Sequence, residues 1–257
     1  EMVAGLTIGK RFGLNNMFGL SGVYENLGLE PRYYSSTGNE SIYYNYFRTG
    51  FNYGINTLDT KHFPNRGTIL DIAGSTSRLI SASIRNDGGR KSYDETDQGD
   101  FLFDRYYTLK MNFRQYVTRI KHLTFSFHAD VLYLSKCDSA LARNNFYLLG
   151  GINQVNGRSI PMTGFSALEI PVQKTAGMGI EFDLEPVNNL HFNIMADVFA
   201  AEDIYRDNAF RLLAGIGAGA GYMSILGPIK AGIMFGRNPY EKFFKNVKGY
   251  VTIGFNF

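Results

Sequence analysis

The chain has 257 residues, a formal net charge of +3 with both signs mixed along its length, and a single cysteine, Cys137. So mild and dispersed a charge offers no phosphate-binding face, which argues against a nucleic-acid partner, and one cysteine excludes an intrachain disulfide or thiolate metal cluster, leaving Cys137 as an inert loop thiol. Hydrophobic residues reach 44% and aromatics 15%, all Phe and Tyr, with 29 Gly and 7 Pro, a mixture that favours strands over helices.

Glu1 opens in strand-like sequence with no signal peptide ahead of it, so a processed or cut N-terminus is expected. Apolar and polar residues alternate with the period of a strand. This predicts strands near 2–12, 17–27, 42–57 and 67–80, with longer polar connections at 28–41 and 81–104. The next strands are predicted near 105–119 and 122–135. In the first, Tyr107, Leu109, Met111 and Phe113 oppose Thr108, Lys110, Asn112 and Arg114; in the second, Leu123, Phe125 and Phe127 oppose Thr124, Ser126 and His128. After a long connection at 136–174, alternation resumes near 175–185 and 189–200, where Met178, Ile180, Phe192 and Ile194 oppose Gly179, Glu181, His191 and Asn193. A polar connection at 201–210 leads to predicted strands near 211–224, 228–236 and 247–257. The uncharged stretch from Leu212 to Ile229 is not read as a helix. Gly215, Gly217, Gly219 and Gly221 recur at every second position, and four such glycines would cost a helix roughly 3–4 kcal/mol relative to Ala.

About eleven strands, joined alternately by short turns and long polar loops, fit a membrane barrel better than a soluble sandwich. Sandwich strands average about five or six residues, whereas these approach the roughly 9–11 needed to cross a bilayer with tilt. The polar face carries bulky charges such as Arg48, Lys110, Arg114, Glu181 and Lys230, suited to a wet lumen, and Tyr43, Tyr44, Tyr106, Tyr107, Phe255 and Phe257 sit near strand ends, as aromatic girdles would. The fold class expected is all-β, a transmembrane antiparallel β-barrel in a bacterial outer membrane, with lipid as its first partner. Unpaired edges cannot persist in hydrocarbon, and such barrels have even strand numbers. The odd count therefore implies that N-terminal strands of the barrel lie outside this chain, which is expected to form a single domain over 1–257.

Three segments resemble the bacterial surface-antigen superfamily of outer-membrane insertases and transporters. Asn56, Thr57, Leu58 and Asp59, then Phe63, Pro64 and Gly67, are similar to its "NTLD…FP…G" hairpin. Gly150 and Gly151, then Val155, Asn156, Gly157 and Arg158, look like the "GG…VRGF" segment of its lumen loop. The ending from Gly227 to Phe257 is similar to its last two strands. The family arginine is Asn156 here, and Arg158 replaces the aromatic after the glycine. The resemblance implies that the chain is the C-terminal part of a sixteen-stranded barrel, with the 136–174 loop folded into the lumen and pinned to an acid on the barrel wall. Arg158 is expected to pair with Asp197, or with Glu181 or Asp183. Within the superfamily, the tract from Tyr107 to Tyr133 looks most like the barrel of patatin-like phospholipases. That implies an upstream domain, anchored or translocated, as a partner. The barrel of an assembly insertase and a plain diffusion porin are the alternatives; other membrane proteins or a second copy are further partners the resemblance allows.

This chain is not expected to be an enzyme by itself. Asp87-Gly88-Gly89 matches half of a patatin dyad, but no G-x-S-x-G nucleophile exists, and Asn86-Asp87-Gly88-Gly89 is ordinary turn chemistry. His62, His122, His128 and His191 lack metal-ligand spacing, so no metal or other cofactor is expected. The glycines at 215–221 leave space either for a closely packed element such as the 136–174 loop or for relief of curvature.

Overall fold

A computed structural model describes residues 2–29, 41–86, 89–94, 105–135, 146–154, 157–202, 209–225, 227–237 and 247–254. All the regular elements described are strands: β1 (Met2–Phe12), β2 (Asn16–Leu29), β3 (Ser41–Asn56), β4 (Gly67–Asn86), β5 (Gly89–Asp94), β6 (Arg105–Ile120), β7 (Leu123–Leu134), β8 (Tyr147–Leu149), β9 (Ser159–Ile160), β10 (Ile170–Val172), β11 (Lys174–Val187), β12 (Leu190–Glu202), β13 (Phe210–Ser224), β14 (Gly227–Arg237) and β15 (Val247–Ile253). Eleven of them follow one another in a single sheet, β1-β2-β3-β4-β6-β7-β11-β12-β13-β14-β15, with β5 paired to β4. These are the eleven segments read from alternation. Two long connections, however, carry strands that alternation does not announce. β4 runs on to Asn86 and folds back as β5, with Ser83 opposite Ser92. The 136–174 connection holds a second, three-stranded sheet, β10-β8-β9. Both are short pairings held by backbone bonds, which need no apolar stripe.

By contacts the chain divides into two compact units. The first comprises residues 1–53, 72–109 and 134–144. Here β1 and β2 form a hairpin in register from Met2 opposite Asn26 to Phe12 opposite Asn16, and Gly13 turns it with φ 70°. Leu6, Ile8 and Leu20 are exposed, whereas Glu25 is buried and holds Arg48 at 2.5 Å. Asn26 donates to Asn45 at 2.6 Å, and Asn45 donates in turn to Ser81 at 2.7 Å. Tyr44 and Tyr106 do not lie on a lipid-facing girdle. They are buried around Tyr46, with ring centroids 6.1 and 6.2 Å from it, because strand alternation puts Phe47 and Tyr107 on the exposed face instead. Phe255 and Phe257 lie outside the described residues.

The second unit comprises residues 54–71, 110–133 and 145–257. Its tight turns carry a residue of positive φ, His122 between β6 and β7 and Asn189 between β11 and β12. Burial along its strands is the reverse of a soluble sheet. On β12, Phe192, Ile194 and Val198 are 47%, 64% and 45% exposed, while His191, Asn193 and Asp197 are buried. The same inversion places Met178, Ile180, Phe182 and Leu184 of β11 outward. An apolar face left bare over successive strands is stable only where hydrocarbon covers it.

Candidate functional site: a docked loop and an inturned hairpin

The buried face of the second unit is organised in rows of residues paired across neighbouring strands. One row runs His128 (β7), Gly179 (β11), Asp197 (β12), Gly215 (β13) and Gly236 (β14). Three of the five are glycine, so the row forms a trough, and the loop between β7 and β11 lies in it. A side chain at Gly215 would collide with the Thr163 carbonyl, and one at Gly236 would collide with the carbonyl of Gly164. Thr163 donates its amide to Asp197 Oδ2 at 2.6 Å, while His128 Nε2 lies 3.4 Å from Oδ1. Of the glycines at 215–221, Gly215 and Gly217 thus seat the loop, one of the two roles that spacing alone left open, whereas Gly219 faces Tyr250 and Asn193, and Gly221 faces Phe63.

Above the trough the buried face turns apolar. Leu132, Phe199, Ala201 and Leu213 from the wall pack with Leu149, Ile160, Met162, Phe165, Ile170 and Val172 from the loop in one cluster. Phe199 has room because its cross-strand partner is Gly177. The loop is held within itself by Leu148 N–H to the Arg158 carbonyl at 2.9 Å and Gly150 N–H to the Ile160 carbonyl at 3.0 Å. Gly150 has φ 132°, a conformation that a side chain would strain. Lys110 of β6 reaches the carbonyls of Gly157 and Ser159 at 3.3 and 3.4 Å.

At the rim of the tight turns, the β3–β4 connection folds back over the buried face. Its motif residues build the turn. Asn56 accepts the Leu58 amide at 3.1 Å, the Thr57 hydroxyl accepts the Thr68 amide at 2.8 Å, and Asp59 accepts the Asn65 amide at 3.0 Å. Gly67, with φ 119°, lies against the Thr57 backbone where no side chain fits. Thr118 and Thr124, on β6 and β7, both donate to Asn65 at 2.9 Å. Phe63, itself at φ 47°, stacks on His191 with ring centroids 3.8 Å apart and planes within 6°. Lys230 Nζ lies 4.5 Å from the same ring, and Gly221 leaves the space in which the ring sits.

Between the docked loop and the inturned hairpin is a cavity of about 370 Å³. Leu58, Phe63 and Pro64 line it from the hairpin, Ile152, Asn153 and Gln154 from the loop, and Asp71, Arg114, Glu181 and Met195 from the wall. Its chemistry is mixed, with cations, carboxylates and amides facing one another.

The structure therefore brings Asp197, Glu181, Asp183 and both sequence motifs into one unit. Glu181 accepts from Asn193 at 2.8 Å, and Asp183 bonds His191 Nδ1 at 2.8 Å. The loop donor described at Asp197 is the Thr163 amide, five residues beyond Arg158. Val155, Asn156, Cys137, Asp87 and Gly88 lie outside the described residues. Sequence reasoning passed over Thr163 and Phe199, and placed Lys110 on the polar face without its bonds to the loop. Phe199 did carry a signal, an aromatic in the polar register of its strand.

The sequence profile described as the OMP85 superfamily matches residues 26–257. No curated protein matches the chain. Among solved structures, BamA from Haemophilus ducreyi lacking POTRA domains 1–3 superposes with TM-score 0.65 at 14% identity, over 97% of this chain and 54% of that one. CdiB from Acinetobacter baumannii is similar at TM-score 0.46 and 15% identity, over 93% and 43%. The chain thus spans about half the length of the BamA structure it matches. With a profile match over most of its length and an exposed apolar face on successive antiparallel strands, the chain belongs to the OMP85 superfamily and is a bacterial outer-membrane β-barrel.

Proposed function

We propose that this chain is the barrel of a longer protein, anchoring or translocating an upstream domain, and that its 136–174 loop is a plug in the barrel lumen. The observation that supports this best is the seating of Thr163 and Gly164 on Gly215 and Gly236 with the Asp197 carboxylate beneath them. A pure anchor needs no such seat, and an open diffusion pore would be obstructed by it. The tract from Tyr107 to Tyr133 makes a patatin-like lipase the upstream domain we favour.

Two measurements test the reading. The full-length gene product, expressed in an outer-membrane-bearing cell, is expected to hold a lipase domain at the membrane; tandem substrate-docking domains in its place would favour an assembly insertase. In planar bilayers, deletion of residues 150–170 is expected to raise ion conductance sharply. Conductance that is high beforehand and barely altered by the deletion would favour a plain porin and refute the plug.

A further inference from the structure

We propose that the β3–β4 hairpin is a latched floor beneath the cavity, with Phe63 as the latch. This does not depend on what lies upstream of the barrel. The hairpin crosses the buried face rather than extending beyond its rim, and a different strand or pair of strands grips each side. Thr118 and Thr124 hold Asn65 on one side; on the other, His191 and Lys230 take the two faces of the Phe63 ring. The seat exists only because β13 carries glycine at 221, where a side chain would meet the ring itself.

The grip is of a reversible kind. Phe63 holds φ 47°, the left-handed region that a bulky residue occupies only when its surroundings impose it. The turn's own bonds, such as Thr60 Oγ1 to the Phe63 carbonyl at 3.2 Å, shape the hairpin. One ring stack, one cation–π contact and two hydroxyl bonds hold it to the wall at Phe63 and Asn65, and none of its residues belongs to the buried apolar cluster described above. The docked loop is different: it buries six residues in a continuous cluster with four from the wall. Of the two elements bounding the cavity, the hairpin is the one that can swing, and strain at Phe63 is released when it does. The structure thus assigns the roof to the loop and the movable floor to the hairpin.

The test uses the full-length protein refolded into lipid vesicles, with its cysteines, Cys137 among them, replaced by serine and Met195→Cys as the reporter. Met195 lines the cavity and is 8% exposed. Labelling by a small cationic thiosulfonate is expected to be slow in this parent. Phe63→Ala should accelerate it at least about tenfold, as loss of one stack and one cation–π contact implies. Gly221→Leu, which fills the seat, should do the same with Phe63 still present, and Phe63→Tyr should leave the parent rate. Should either opening variant fail to fold, as judged by strand signal and electrophoretic mobility, Lys230→Ala removes one face of the clamp and should give a rise of about threefold. The proposal fails if properly folded opening variants label at the parent rate. It also fails if the parent reporter reacts as fast as a cysteine placed at Leu14, which is 98% exposed.

Discussion

The backbone amide of Thr163 and the carboxylate of Asp197 meet at 2.6 Å on a buried face where Asp197 is 3% exposed. A charged acceptor bonded in such a place contributes about 1.5–3 kcal/mol, and deleting it leaves the amide unpaired. Asp197→Ala is therefore expected to release the loop, seen as protease cleavage between residues 150 and 170 at least about tenfold faster than in the parent. Asp197→Asn keeps an acceptor and should fall between the two. Equal protection in all three would show that this bond does not hold the loop.

A charge exchange between Arg158 and Asp197 separates two ways of pinning the loop. If a side-chain ion pair were the pin, Arg158→Asp combined with Asp197→Arg would restore protection lost in the single variants. The Thr163 amide needs an acceptor at 197, which arginine cannot provide. The double variant is expected to be cleaved as fast as Asp197→Arg alone.

Close backbone approach at the trough predicts an uneven tolerance of glycine replacement. A Cβ at Gly215 meets the Thr163 backbone, whereas one at Gly249 meets only the Gly232 carbonyl at 3.9 Å. Gly215→Val should expel the loop, again read by proteolysis. Gly249→Ala should change urea stability in vesicles by no more than about 0.5 kcal/mol.

The two faces of β12 should respond in opposite ways to opposite chemistries. Phe199, in the loop–wall cluster and fully buried, should cost about 3–5 kcal/mol when cut to Ala. Ile194 is 64% exposed on the apolar face, where Ile194→Lys should cost up to about 2–4 kcal/mol in a bilayer. In detergent, whose tails and headgroups rearrange around the charge, that second penalty should shrink while the first persists. Urea unfolding in the two media distinguishes them.

The strand path was readable in advance because a strand's side chains alternate by local geometry, so Met178, Ile180 and Phe182 announce their face without reference to any distant residue. The hairpin motif was readable as a motif, but its purpose was not. Asn56, Asp59 and Gly67 shape the turn by bonds within it, whereas Phe63 finds His191 and Lys230 from strands more than a hundred residues away. Tyr44 and Tyr106 show the limit of reading position along a strand: near its ends, only the face occupied separates a membrane girdle from a buried cluster.

The amino-acid order by itself determined that this protein is a run of long antiparallel strands with one oily and one polar face, since that follows from a two-residue period and from what lipid and water each tolerate. Only the tertiary structure decided which glycines receive the loop, which acid meets Thr163 and where Phe63 rests. Those contacts depend on cross-strand register and on chain returning from far away, and neither leaves a periodic trace in the residues that make them.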